Sequence, residues 1–328
     1  DELDWSSFLL NRLNTSREES ELEGAGLGFA VALATVSLER RAELLEEVLN
    51  CDPVDGRQGR LVVCFFLPKV FAAVPGGSDV VATMLPVLEV ALADPEEKLR
   101  ATARRGLEAA VAATNEGTDA LIVGSLRRSL RTPDARVRVT ACEVSYQLIQ
   151  QRPKAAVIRT DLVTAVLVAQ ADDVGEVRKS AERAWRAAIE TGGAASKQLK
   201  VLRPTLLDRV SEDWACGVEH VAANAGRAAA QLVSRFDVGV LDDLAPRVRD
   251  ALSSSNTTVQ RFALGALLEI LQAGQDLHMS WNRPVLQALG SPDDDVRSAA
   301  AKCALAAPQS LVEPVVRELC AFDDEPTA

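Results

Sequence analysis

Asp94-Pro95-Glu96-Glu97-Lys98-Leu99-Arg100-Ala101-Thr102-Ala103 is the stretch that sets the fold of this chain. A turn-forming acidic cluster leads into Leu-Arg and then into an Ala-rich apolar run. The phrase returns as Pro133-Asp134-Ala135-Arg136-Val137-Arg138 before Val139-Thr140-Ala141. It returns again as Asp173-Val174-Gly175-Glu176-Val177-Arg178 before Lys179-Ser180-Ala181, and as Pro292-Asp293-Asp294-Asp295-Val296-Arg297 before Ser298-Ala299-Ala300. Anchored on the arginine slot, the copies fall at Leu22, Arg60, Arg100, Arg138, Arg178, Glu219, Gln260 and Arg297. The steps between them are 38, 40, 38, 40, 41, 41 and 37 residues, and five of the eight slots hold Arg.

A step near 40 with two helical segments per unit lies in the range of HEAT and armadillo repeats. Leucine-rich and ankyrin repeats are shorter, and no Trp-Asp or strand signature supports a propeller. Asp and Arg at the start of each second helix make HEAT the better label. The expectation is an all-α, HEAT/armadillo-like α-solenoid of about eight helical-hairpin repeats, running as one array through residues 1–328. The 328 residues alone would suggest two or three globular domains. A solenoid grows in one dimension and escapes that size limit. The chain opens on Asp1, which suggests a piece of a larger protein.

The helix punctuation fits the same scheme. Asp94-Pro95-Glu96-Glu97, Thr132-Pro133-Asp134 and Ser291-Pro292-Asp293-Asp294 predict a capping side chain, Pro at the first helical position and acids against the positive end of the dipole. Val177, Ala181, Ala184 and Ala188 form one apolar stripe suited to close packing. Pro86, Pro204, Pro246 and Pro284 fall within first helices, where an internal proline kinks the chain. Pro75-Gly76-Gly77, Gly192-Gly193 and Gln272-Ala273-Gly274 separate units.

Composition narrows the function. Hydrophobic residues make up 48% and charged residues 25%, enough for a core; aromatics are only 4%. The net charge of −11 argues against a general nucleic-acid coat, which needs a basic excess. Cys51, Cys64, Cys142, Cys216, Cys303 and Cys320 contain no C-x-x-C, so neither a zinc module nor a disulfide framework is indicated, and reduced thiols in the cytoplasm are expected. No apolar run is long enough to span a membrane.

Few residues suggest chemistry. Cys216 and His220, four apart, would share one helix face as a nucleophile–base pair or half a metal site; the alternative is a small buried filler. His278 beside Met279 and Trp281 reads as a loop or packing residue. Gly24, Gly26 and Gly28 superficially match a phosphate-binding fingerprint but lack its preceding strand, and close helix approach explains them better. Arg127, Arg128, Arg131, Arg136 and Arg138 form the densest basic patch, readable as an RNA or acidic-protein contact or as a solvated face. A HEAT-fold iron hydroxylase would need His-Glu ligand pairs, and no His here is followed by Glu. No catalytic residue, cofactor or metal is expected.

Several phrases resemble the general-control translational activator family, the giant HEAT-repeat activators of the amino-acid-starvation kinase that acts on initiation factor two. Gly59 to Phe71 (GRLVVCFFLPKVF) is similar to its G-(F/L)-L-x-L-F-I-Y-L-P-x-x-F helix. Leu85 to Asp94 resembles P-x-I-L-x-G-L-A-D, and Arg100 to Ala110 resembles V-R-x-x-A-L-R-A-G-Q. Val177-Arg178-Lys179-Ser180-Ala181 with Ala184-Trp185-Arg186 resembles V-R-Q-A-A-L-x-x-W-K, and Gly226 to Val233 resembles G-R-x-L-G-E-L-V. The similarity covers residues 20–235. Leu22, Ala135 and Glu219 depart from it. The resemblance implies the family's C-terminal region, which binds the RWD domain of the kinase and of competing RWD proteins, while the parent protein associates with ribosomes. It points to Arg178, Lys179, Arg183 and Arg186, with Trp185 as an anchor. Trp185 is alternatively an intra-repeat core residue, and Arg178 the structural arginine of its repeat. A different HEAT adaptor, of phosphatase-scaffold, transport-receptor or tubulin-cofactor type, is the other reading.

Overall fold

The computed structural model describes residues 8–9, 11–12, 18–50, 69–71, 78–113, 115–192, 195–235, 239–273 and 279–306. The Arg60 slot, most of the Gly59–Phe71 phrase, His278 and Cys51, Cys64 and Cys320 lie outside them. So do Pro75-Gly76-Gly77, Gly193 and Gly274 of the unit separators. The described residues are helical, with no strand among them: α1 (Glu19–Thr35), α2 (Leu38–Asn50), α3 (Ser78–Leu92), α4 (Glu97–Ala112), α5 (Asp119–Ser129), α6 (Ala135–Gln151), α7 (Val163–Ala169), α8 (Gly175–Gly192), α9 (Ala195–Ala215), α10 (Glu219–Arg235), α11 (Gly239–Leu252), α12 (Thr257–Gln272), α13 (Asn282–Leu289) and α14 (Asp294–Ala306). A π-helical turn, Ile158–Leu162, precedes α7, and a 3-10 turn, Met279–Trp281, precedes α13.

The helices fall into two compact units, residues 1–166 with 180–194 and residues 167–179 with 195–328, the boundary running through the α7–α8 hairpin. In unit 1, α3 packs on α4 and α5, and α6 packs on α4 and α5. In unit 2, α9–α10, α11–α12 and α13–α14 are hairpins; α9, α11 and α13 form one layer and α10, α12 and α14 the other. Each unit is thus a two-layer stack of helical hairpins, the HEAT-type α-solenoid arrangement.

Apolar residues at helical spacing drive the stacking. Met84, Leu88, Leu99, Leu107, Ile122, Leu126, Val144 and Leu148 are buried in unit 1, and Leu206, Val210, Trp214, Leu244, Leu264, Leu267 and Trp281 in unit 2. Ala-rich second helices let backbones approach closely. Gly226 on α10 is the extreme case: a Cβ there would meet Ala266 Cα of α12 at 2.9 Å. Trp281 has an indole N–H that finds a partner across one repeat, donating to Ala245 O at 2.9 Å.

Among the described residues the arginine slot has one geometry where it is filled. Arg100 Nη1 donates to Asp94 O and Pro95 O, both at 2.7 Å. Arg138 Nη1 donates to Thr132 O at 2.9 Å and Pro133 O at 2.8 Å; Arg178 Nη1 donates to Asp172 O at 2.7 Å and Asp173 O at 2.8 Å. Arg297 Nη1 reaches Ser291 O at 2.6 Å. Each guanidinium folds back from the first turn of the second helix and holds carbonyls of the hairpin turn. Those carbonyls would otherwise compete for water at a tight bend.

An Asx side chain completes each bend. Asp134 Oδ1 caps α6, accepting from Arg136 N at 2.9 Å; Asn256 Oδ1 accepts from Thr258 N at 3.0 Å; Asp293 Oδ1 accepts from Asp295 N at 3.0 Å. Asp94 and Asp172 make the same bond two residues before the helix N-cap, to Glu96 N and Val174 N, each at 2.9 Å. This corrects the predicted position of proline. Pro95, Pro133 and Pro292 lie in the turns, not at the first helical position, because the capping residue is the one after them or later. Pro86, Pro204 and Pro246 are interior to first helices, as expected, whereas Pro284 sits in the first turn of α13, where a proline leaves few bonds unmade. On α1, Gly28 has a close approach, with Leu9 Cδ2 3.0 Å from its would-be Cβ, whereas Gly24 faces open space.

Arg138 is buried and makes both turn bonds, so Arg138→Met should cost about 2 kcal/mol, the range for hydrogen bonds to a charged group. A lowered urea midpoint with unchanged slope checks it. The Arg136 guanidinium holds the Asp134 carboxyl below its ordinary pKa. Its stabilisation is therefore present above the ordinary carboxylate range and is lost as pH falls through the lowered folded-state value. Asp134→Ala should destabilise by about 1 kcal/mol at pH 7. That difference should shrink in an acid denaturation series as pH falls below the ordinary carboxylate range.

Candidate interaction surface

Helix α8 follows directly from its sequence. The Asp172 Asx turn launches it, Glu176 lies in its first turn, and Val177, Ala181, Ala184 and Ala188 all face inward and are buried. The opposite face, rich in charge, is left to solvent.

The five residues singled out on this helix have three different environments. Arg178 is one of the turn-holding arginines, both of its bonds going to main-chain carbonyls of Asp172 and Asp173. Trp185 is 8% exposed and belongs to the packed interior. Lys179, Arg183 and Arg186 are exposed. Arg186 pairs with Glu182 at 2.5 Å, one turn back on the same helix. Among the described residues Arg183 makes no ion pair; its guanidinium carbon lies 4.2 Å from the ring centroid of Tyr146 on α6.

Tyr146 is the single tyrosine of the chain and was not identified from sequence. Neither were its neighbours on the second-helix face of unit 1. Arg104 on α4 pairs with Glu143 on α6 at 2.8 Å and with Glu108 on its own helix at 2.9 Å. The Glu108 hydrogen bond outweighs burial and raises the Arg104 pKa above the ordinary guanidinium value. Gln147 Nε2 donates to Glu108 across 39 positions, one repeat step. That step is the signal that would have found them: polar residues one repeat apart on second helices meet side by side.

Four of the five arginines of the basic patch are engaged within the chain. Arg128 pairs with Glu89 at 2.7 Å, Arg127 with Asp161 at 3.5 Å and Arg136 with Asp134 at 2.6 Å, while Arg138 holds its turn. Phosphate binding there would first have to break these pairs.

Cys216 and His220 do not share a helix. Cys216 lies in the turn after α9, Gly217 follows with φ +73°, and His220 is inside α10. The left-handed glycine breaks the four-residue spacing on which the pairing rested. Among the described residues, no group of three or more His, Cys, Asp or Glu side chains could hold a metal ion. No described helix is long and apolar enough to cross a membrane. In unit 2, the α10–α12–α14 layer carries a groove of about 320 Å³ floored by Gly265 and Ala266, with Arg261, Glu269, Asp295 and Lys302 around it. Arg261 and Asp295 close across it at 3.4 Å.

The thiols differ sharply. Burial pushes Cys303 up to about 12, and Cys142 is also buried, whereas Cys216 is half-exposed. Native-state alkylation at pH 8 followed by peptide mapping should therefore modify Cys216 well ahead of Cys142 and Cys303. Equal labelling of all three would contradict the packing described.

No protein-family profile matches the chain. Over 334 aligned residues it is 21% identical to the "Stalled ribosome sensor GCN1" of mouse, and equally to that of human, covering 90% of this chain. Among solved structures, importin beta aligns over 96% of this chain and 44% of its own, at 15% identity and TM-score 0.38. An engineered protein aligns over 96% and 92%, at 17% identity and TM-score 0.30. The chain is an all-α, HEAT-type solenoid whose sequence is similar to the stalled ribosome sensors GCN1 of mouse and human, and it spans 12% of their length.

Proposed function

We propose that this chain is a non-enzymatic interaction scaffold that binds the RWD domain of the starvation-responsive initiation-factor kinase and promotes its activation at ribosomes in the cytoplasm. The observation that carries the reading is the GCN1 similarity, which runs through 90% of the chain and is not confined to one repeat. The family's RWD-binding C-terminal region is the part to which the phrases around Arg178 and Trp185 bear resemblance.

Within that reading the five α8 residues divide by role. Lys179, Arg183 and Arg186 contact the partner, because they are exposed and, unlike the equally exposed Arg178, do not hold the turn carbonyls. Arg178 and Trp185 set the position of the helix: one fixes its entry turn, the other its depth in the core. Holding a kinase beside a ribosome needs no chemistry from the scaffold, only two surfaces at a fixed separation.

Pull-down of the purified RWD domain by the intact chain tests this. The unsubstituted chain should retain the domain, and the triple change Lys179→Glu, Arg183→Glu, Arg186→Glu should lose at least tenfold in affinity, about 1.4 kcal/mol. Absence of binding by the unsubstituted chain would remove the proposal. Binding unaffected by the triple change would move the surface elsewhere.

A further inference from the structure

The contact between Arg183 and Tyr146 has a charge environment unlike that of the other arginines on this face. Two carboxylates flank this contact in sequence: Glu143, one helical turn before Tyr146 on α6, and Glu182, adjacent to Arg183 on α8. Both are taken. Glu143 is held by Arg104 at 2.8 Å, and Glu182 by Arg186 at 2.5 Å. In a chain of net charge −11, with 47 acidic residues, Arg183 is thus kept free of an acid by neighbouring arginines.

Stacking also decides what Arg183 can do. Lying 4.2 Å from the Tyr146 centroid, the guanidinium spends its face on the ring. Its N–H donors all lie in the plane, along the edge, and among the described residues none is used by a partner. A planar fork with a fixed orientation and unspent donors matches a carboxylate bidentately. An unstacked exposed arginine would have to give up rotamer freedom to do the same.

We infer that Tyr146 and Arg183 form a receptor for a carboxylate side chain of an acidic protein segment, with Tyr146 as the positioning residue and Arg183 as the ligand. The Arg104–Glu143 and Arg186–Glu182 pairs keep that receptor unquenched. This deepens the proposed function by naming the chemistry of the partner, an Asp- or Glu-rich surface, and it rests on that reading only for which protein supplies it. Charge complementarity commits the site to an acidic protein. The neighbouring Arg104 and Arg186 are already paired, so a polyanion that needs several free cations finds few beside Arg183, whereas a single carboxylate needs only one.

The test uses the full chain and a hexaglutamate peptide, so its outcome does not depend on RWD binding. With ring-labelled tyrosine the chain gives one aromatic NMR signal set, from Tyr146. Hexaglutamate should shift it saturably, and hexalysine should not. By anisotropy of fluorescein-labelled hexaglutamate, Arg183→Gln should weaken binding about tenfold. Tyr146→Leu, which changes no charge, should weaken it severalfold, while Tyr146→Phe, which keeps the ring, should match the parent. Arg183 is exposed, so its variant keeps the experiment decisive should Tyr146→Leu fail to fold, as judged by circular dichroism. An unmoved Tyr146 signal, equal binding by Arg183→Gln, or tighter Arg183-dependent binding of an oligouridylate than of hexaglutamate would each overturn the inference. Retained hexaglutamate binding with no RWD binding would leave the receptor standing and remove only the named partner.

Discussion

A guanidinium folded back onto two carbonyls of the preceding turn is the contact on which the repeat depends. A helical hairpin has a weak point where two helices reverse direction, because the carbonyls that end one helix and the amides that begin the next lack intrahelical partners. In this chain Asp or Asn satisfies the amides and Arg satisfies the carbonyls, at Asp94 with Arg100, Asp134 with Arg138, Asp172 with Arg178, and Asp293 with Arg297. The turn then leaves little unpaired, and hairpins stack through apolar faces alone. Where the arginine is replaced, at Glu219 and Gln260, the turns differ: Gly217 takes the left-handed region before α10, while Asn256 caps α12 through two amides as Asp293 caps α14.

The same residue type therefore serves two ends. Arginines in the slot are structural, whatever their exposure, and those on the outer faces of the second helices are free to meet partners only where no acid claims them. An acidic chain claims most of them. The ion pairs Arg104–Glu143, Arg128–Glu89 and Arg186–Glu182 each occupy an arginine of unit 1, so an arginine outside such a pair, as Arg183 is, stands out more than it would on a basic protein. Exposed pairs of this kind add little to stability. Their effect here is on which charges remain available.

Much of the fold was legible in the sequence because the repeat is written in residues whose physics is local. The Asp and Arg of each phrase bond within six positions of themselves, so their spacing alone announces a turn and a helix start. Proline was placed too late, since the pattern does not reveal whether the residue before or after it supplies the cap. The interaction surface was less legible. Arg178 and Trp185 were read with Arg183 as one group, yet a periodic Arg and a Trp at core spacing are absorbed by the fold. Tyr146 was missed because its partner lies on the next repeat, and one cannot see from a single helix which residue of the next will stand beside it. The Cys216–His220 spacing misled for a simpler reason: a left-handed glycine intervenes.

The polar links across repeats carry a lesson about reach. Glu108 with Gln147, Glu89 with Arg128, Leu264 with Cys303 and Asp172 with Asn224 each join one repeat to the next and stop there. None is a bolt between distant parts of either unit. A lesion at one repeat is consequently remembered by its two neighbours and forgotten beyond them, as in any nearest-neighbour chain. Such a sequence can lengthen or shorten by whole repeats while each junction keeps its grammar, but removal of a single helix would leave a junction with no partner to read.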